Sequence, residues 1–201
     1  MGEVPRKAGR PRDEGARKKV LTAALSLMST EGLPALTMEG IAARAGVGKQ
    51  TVYRWWHSRA EILLEALRET GVAAIPVPNT GSLRDDLRVF VQSTFSVARD
   101  RWVMAPVLRA LIAEAQSNES LRLRFREEVI ESRRAALGAI FEMAIVQGNA
   151  RPDFSPDVGV DMVFGAMWYR LLVGHLPIDD AFALVLADTV SRAATATQRA
   201  D

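Results

Sequence analysis

From Asp13 onward, apolar residues recur three and four positions apart, the spacing of one face of an α-helix. Val20, Leu21, Ala24, Leu25 and Met28 predict a first helix, with Gly32 just past its end. A short helix over 38–45 follows, with Thr37 as N-cap and Ile41, Ala42 and Ala45 on its inner face. The turn Gly46-Val47-Gly48 leads into a second short helix over 49–55. Ser58-Arg59-Ala60-Glu61 has the form of a capping box and opens a longer helix carrying Ile62, Leu63, Ala66 and Leu67. The stretch 71–81 holds Pro76 and Pro78 and has no helical period, so the pattern breaks there. Further helices are expected near 82–100, 104–117, 119–147, 156–174 and 178–196. β-Branched residues seldom alternate and no Asn-Gly or Asp-Gly turn occurs, so the chain reads as all-α.

Two short helices joined by a glycine turn and docked on a longer first helix describe a helix-turn-helix unit. The small residues Ala42, Ala43 and Ala45 suit close packing of the two, Gly46 suits a sharp turn, and Val47 anchors it. Val52 and Trp56 can face inward while Lys49, Gln50, Thr51, Tyr53 and Arg54 stay outside. That outward set fits DNA. Lys49 can neutralise a phosphate, Tyr53 can hydrogen-bond one, and the helix N-terminus adds its free N–H groups. Gln50 and Arg54 are four apart, and each can pair bidentately with a purine edge, Gln with adenine and Arg with guanine. Thr51 offers a hydroxyl and a methyl for thymine. Thr37, Arg44, His57 and Arg59 flank this helix as candidates for the DNA backbone.

Charge sharpens the division. Residues 1–60 hold eleven Lys and Arg against five Asp and Glu, whereas the rest holds fifteen against nineteen. A basic head on an acidic body suits a polyanion-binding module joined to a partner or sensor domain. We therefore expect a basic arm over 1–12, a three-helix DNA-binding domain over 13–57, and a helical ligand-binding and dimerisation domain over 58–201. Arg10 and Arg12 in the arm either reach into the minor groove or belong to a solubilising tail. The absence of cysteine excludes disulfides and cysteine-based metal or nucleophile sites. The most apolar run, Met162 to Tyr169, is too short to span a bilayer, and a cytoplasmic protein without a cofactor is expected.

The segment from Gly32 to Trp56 follows G-x4-T-x3-I-A-x2-A-G-V-x-K-x-T-x-Y-x2-aromatic and resembles the N-terminal domain of the TetR family of regulators. The resemblance covers about residues 13–67. Arg59 stands where the family usually has lysine, Trp56 where it usually has phenylalanine, and Gly48 where it commonly has serine or threonine. Glycine is an acceptable N-cap but supplies no hydroxyl for a phosphate. The stretch from Trp168 to Gly174, with Pro177-Ile178-Asp179, resembles a TetR-type sensor domain. The resemblance implies an Ω-shaped homodimer, usually a repressor on a palindromic operator, released by a small-molecule effector.

The residues support two copies independently. The segment 158–173 is apolar on almost every side, which requires cover on both faces. Met162, Phe164, Met167 and Leu171 are its interface candidates, with Phe182, Val185, Leu186 and Val190 on the last helix. An apolar or aromatic effector would meet Phe95, Trp102, Met104, Phe125 and Trp168, with Arg99 or Arg109 as polar handles. Gly46-Val47-Gly48-Lys49 lacks the outer glycine and the Ser or Thr of a P-loop. Asp85-Asp86 and Asp179-Asp180 stand at helix starts, where carboxylates suit the dipole without a metal. An enzyme would need a nucleophile–base or metal set that these residues do not assemble. A protein-interaction module that has lost DNA binding is disfavoured by the intact Lys49, Tyr53 and Arg59.

Overall fold

The computed structural model describes residues 14–69, 77–100 and 104–195, the side chains of 97–100 excepted. Arg10, Arg12, Trp102 and the side chain of Arg99 lie outside the described residues. Among the described residues every regular element is helical. The chain divides between Ala66 and Leu67 into two compact units.

In the first unit α1 (Glu14–Thr30) ends before Gly32 and is followed by a 3-10 turn (Leu33–Ala35). Helix α2 (Met38–Ala45) begins at Thr37, whose Oγ1 accepts from the Gly40 amide at 2.9 Å. Its end is set by Gly46, at φ 65° and ψ 34°, a left-handed conformation that glycine adopts without a Cβ penalty. Helix α3 (Lys49–Trp55) follows at once, capped by Gly48 with no side-chain hydrogen bond. Val20, Ala24, Leu27, Leu36, Ile41, Ala42, Val52 and Trp56 are buried. Ala43, expected among the small inner residues, is exposed, and Val47 is only half-buried. Of the three alanines only Ala42 is buried, with Ala45 half-buried.

Helix α4 (Arg59–Glu69) starts at the expected capping box. Ser58 Oγ accepts from the Glu61 amide at 3.2 Å, and the Glu61 carboxylate accepts from the His57 amide at 2.8 Å. The unit boundary falls within α4, further along than the 57/58 boundary expected. Glu65 explains the shift. Its carboxylate takes Arg17 Nε of α1 at 2.5 Å and the Trp56 indole N–H at 2.7 Å, tying most of α4 to the first unit.

The second unit contains α5 (Leu83–Asp100), α6 (Met104–Ala115), α7 (Glu119–Phe125), α8 (Glu131–Val146), α9 (Pro156–Val173) and α10 (Asp180–Thr195). Its core joins Leu87, Phe90, Val91 and Phe95 of α5 to Leu137 and Phe141 of α8, Val160 and Val163 of α9, and Ala183, Ala187 and Val190 of α10. Each large side chain so buried contributes roughly 1.5–3 kcal/mol before the entropy of ordering is subtracted. The alanines let α10 lie close along α5. Gly159 does the same for α9: a Cβ there would stand 2.8 Å from ring carbons of Phe141 and Phe154.

Where one helix over 119–147 was expected, α7 and α8 are joined by a π-helical turn (Arg126–Ile130). The Arg126–Glu131 ion pair, at 3.1 Å, spans the five-residue step of that turn. Hydrophobic spacing alone does not betray such an inserted residue.

Candidate functional site

Helix α3 presents a sharply divided surface. Val52 is fully buried and Trp56, its C-cap, is buried, while Lys49, Gln50, Tyr53 and Arg54 are exposed and Thr51 is half-buried. Gln50, Tyr53 and Arg54, three of the side chains expected to meet DNA, therefore face solvent. The Arg54 guanidinium sits 5.6 Å from the Trp55 ring centroid, an arrangement that steadies a long cation at the surface.

Glu39, on α2, was not singled out in the sequence, yet it meets two members of this face. Its Oε1 accepts from the Tyr53 hydroxyl at 3.2 Å and lies 3.5 Å from Lys49 Nζ. Its carboxyl is held below the ordinary range, first by its own helix-start amide and then by Tyr53. The Tyr53 phenol is raised, by burial first and by Glu39 second. The surrounding candidates are engaged in the fold. Thr37 caps α2. Arg44 turns back to α1, donating to Ser26 Oγ at 3.1 Å and pairing with Glu31. Arg59 Nη1 donates to the Leu36 carbonyl at 3.3 Å, which fastens the start of α4. His57 is exposed beside them.

A second feature lies wholly in the C-terminal unit. A cavity of about 240 Å³ is lined mainly by apolar side chains, among them Met104, Leu108, Val129, Phe164, Met167 and Trp168. It exceeds the roughly 150 Å³ that accepts benzene in an engineered core. Met104 and Trp168 were expected at such a site. Phe95 was too, but it does not line this cavity; it is fully buried in the core and stacks on Phe182 at 5.5 Å. Phe125 is likewise buried and outside the lining. Arg109 is not a handle either, since its Nε donates to the Leu171 carbonyl at 2.8 Å and satisfies the end of α9. The polar lining residues instead include Thr94, Arg133, Arg134 and Asp161.

Residues 20–66 match the model for bacterial regulatory proteins of the tetR family, and residues 77–190 match that for the tetracyclin repressor-like C-terminal domain. The HTH-type transcriptional regulator YdeS of Bacillus subtilis is 32% identical over 193 residues, spanning 95% of this chain and 96% of that protein. The DNA-binding transcriptional repressor TetR of Mycobacteroides abscessus is 28% identical over 181 residues, 89% of this chain and 93% of its own. The crystal structure of the TetR family transcription regulator SCO0332 superposes with a TM-score of 0.68 at 32% identity, covering 88% of this chain and 96% of that one.

The chain belongs to the TetR family of transcriptional regulators. As a TetR-family regulator it is a DNA-binding transcription factor and not an enzyme. Among its described residues no helix is long and apolar enough to cross a membrane.

The residues expected between two copies of this TetR-family chain divide by burial. Phe164, Met167, Leu171 and Val190 are buried in the chain's own core and offer no contact surface. Phe182 and Leu186 are half-buried against that core, and the Arg170 guanidinium covers the Phe182 ring at 3.4 Å. Met162 and Val185 remain exposed. Val158, Tyr169, Leu172 and Val173 on α9 and Leu184 on α10 are exposed apolar side chains as well.

Proposed function

We propose that this TetR-family regulator is a homodimeric repressor that reads a palindromic operator through two copies of α3 and is released by a small apolar effector. The observation that carries the reading is the division of α3, with Val52 and Trp56 buried and Lys49, Gln50, Tyr53 and Arg54 exposed. Gln50 and Arg54 are assigned to base edges, and Lys49 and Tyr53 to phosphates. Two such helices in a symmetric dimer would address half-sites about 34–36 Å apart. Arg44 and Arg59 would have to leave their internal partners to touch DNA, so they are assigned to holding the head together.

The strip from Val158 to Val173 supports the dimer. Val158, Met162, Tyr169 and Leu172 follow at steps of four, seven and three residues on a single face of α9, with Val173 beside Leu172, and Val185 is exposed on α10. The cavity supports an effector, which must bind the DNA-incompetent state more tightly, because equal affinity for both states shifts nothing. The role as a repressor rests on kinship with family members such as the named repressor of Mycobacteroides abscessus. Like its DNA, the regulator would work in the cytoplasm.

A gel shift on the region upstream of its own gene tests the reading. The wild-type protein should retard the fragment in a salt-sensitive manner. Arg54→Ala should cost about 1–3 kcal/mol and relax preference at one base position, whereas Lys49→Ala should weaken all sequences alike. Retardation that survives both changes undiminished would refute it.

A further inference from the structure

We propose that the cavity of the C-terminal unit takes an apolar monocarboxylic acid, whose carboxylate is gripped by Arg133 and Thr94 while its apolar body lies against Met104, Phe164, Met167 and Trp168. The inference rests on the reading of this cavity as the effector site and adds the chemical class of the effector.

Arg133 interrupts a stripe of buried apolar side chains. Phe125, Val129, Leu137, Phe141 and Ala144 are buried along α7, the π turn and α8, and Arg133 stands in the same register, four residues from both Val129 and Leu137. An arginine in an apolar register must be compensated. Yet Nε and Nη2 of Arg133 are shut off from solvent and meet no acceptor, and Thr94 Oγ1 in the same lining is also buried without a partner. Leaving such groups unmet is costly, and a buried cation more so than a neutral donor. Burial alone draws the guanidinium down to about 10, with no carboxylate acting in the opposite direction.

The two unmet nitrogens are informative. Nε and Nη2 form the lateral fork of a guanidinium, spaced for the two oxygens of one carboxylate. This protein uses that fork repeatedly. Arg84 and Arg88 each grip Asp188 through Nε and Nη2 at 2.7–3.0 Å, and Arg122 grips Glu119 in the same way. The other two charges in the lining cancel, because Arg134 pairs with Asp161. One positive charge is left over, which selects a monoanion. A neutral carbonyl compound would leave that charge uncompensated, and a phosphate dianion would bring an excess negative charge among Val129, Phe164 and Met167. The apolar remainder of the wall then asks for a hydrocarbon or aromatic body.

Calorimetry on the full chain tests this with octanoate, phenylbutyrate and naphthoate, each against its neutral primary amide. At least one acid should bind and raise Tm, with its amide weaker by about tenfold to a hundredfold. Arg133→Met should erase the preference for acid over amide and raise the Tm of the ligand-free protein, since it replaces an unpaired buried charge. Arg133→Lys keeps the charge without the fork and should cost about tenfold in acid affinity, which preserves the test if the methionine variant fails to fold. The proposal is overturned if no acid binds, if amides match acids, or if the position 133 variant that folds binds acid like wild type. A duplex from the upstream region is titrated in parallel with ligand-free protein. DNA binding without acid binding sinks this inference alone, and acid binding without DNA binding sinks the regulator reading alone.

Discussion

Lys49 and Tyr53, the two side chains assigned to phosphates, share one carboxylate in the free protein. Glu39 accepts from Tyr53 and faces Lys49 across the turn, and its lowered pKa keeps it charged throughout the neutral range. A phosphate arriving at this face must displace Glu39 and tolerate its charge. Glu39→Gln keeps the shape and a hydrogen-bonding oxygen but removes the charge, so operator affinity should rise by up to about fivefold at low salt. The gain should shrink as salt screens the exposed pair. Fluorescence anisotropy at two ionic strengths measures both effects, and an affinity unchanged at either would place phosphate away from Lys49 and Tyr53. Lys49, Tyr53 and Gln50 were legible in the sequence because the helical period of α3 fixes which side they occupy. Glu39 was not, because its contacts depend on how α2 and α3 cross at Gly46. Arg133 carried a signal that could have been read: it is the one cation in an apolar register running from Val129 to Phe141.

At the level of elements, α5 and α10 are joined by burial along their length and by a charged clasp. Asp188 of α10 accepts from Arg84 and from Arg88 of α5, and Arg88 also lies 3.7 Å from Asp85. The hydrogen bonds from Arg84 first, and Arg88 second, hold the Asp188 carboxyl well below the usual carboxylate range. A depressed folded-state pKa makes the stabilisation fully present above the unfolded value of about 3.9 and removes it as pH falls through the lower folded value. Asp188→Asn should therefore lower Tm at neutral pH, and the gap from wild type should close as the solution is acidified below about pH 4. Thermal melts from pH 7 to pH 2 check this; a gap that stays constant over that range would mean the clasp contributes through shape rather than charge. The helix order was legible from periodicity, since α5 and α10 each carry one clear apolar face and α9 is apolar on almost every side. The π turn at 126–130 and the unit boundary inside α4 were not. The first adds a residue without disturbing the apolar count, and the second depends on Glu65 finding Arg17 and Trp56 far away in sequence.

At the scale of the whole molecule, burial decides which half of an apolar helix serves the chain and which is left for another. Helix α9 was legible as apolar all round, but sequence could not say which side its own core would take. The core claims Val163, Phe164, Met167 and Leu171, and leaves Val158, Met162, Tyr169, Leu172 and Val173 at the surface. If a second copy covers that strip, DNA affinity depends on it without any strip residue touching DNA. Each head would neutralise its own set of phosphates, and the slope of log K against log salt is about −0.9 for each phosphate neutralised. Leu172→Glu with Val185→Glu puts two like charges on the strip and again on its symmetry mate, so association should fail while the exposed positions leave each chain folded. Sedimentation should then report one chain instead of two, and the salt slope on the operator should fall to about half, because a lone head meets one half-site. Affinity should drop by far more than the loss of any single contact, since tethering of the second head is lost with it. A double variant that sediments as one chain yet keeps the full slope would mean that a single copy makes all the phosphate contacts, and the palindromic, two-headed reading would have to be abandoned.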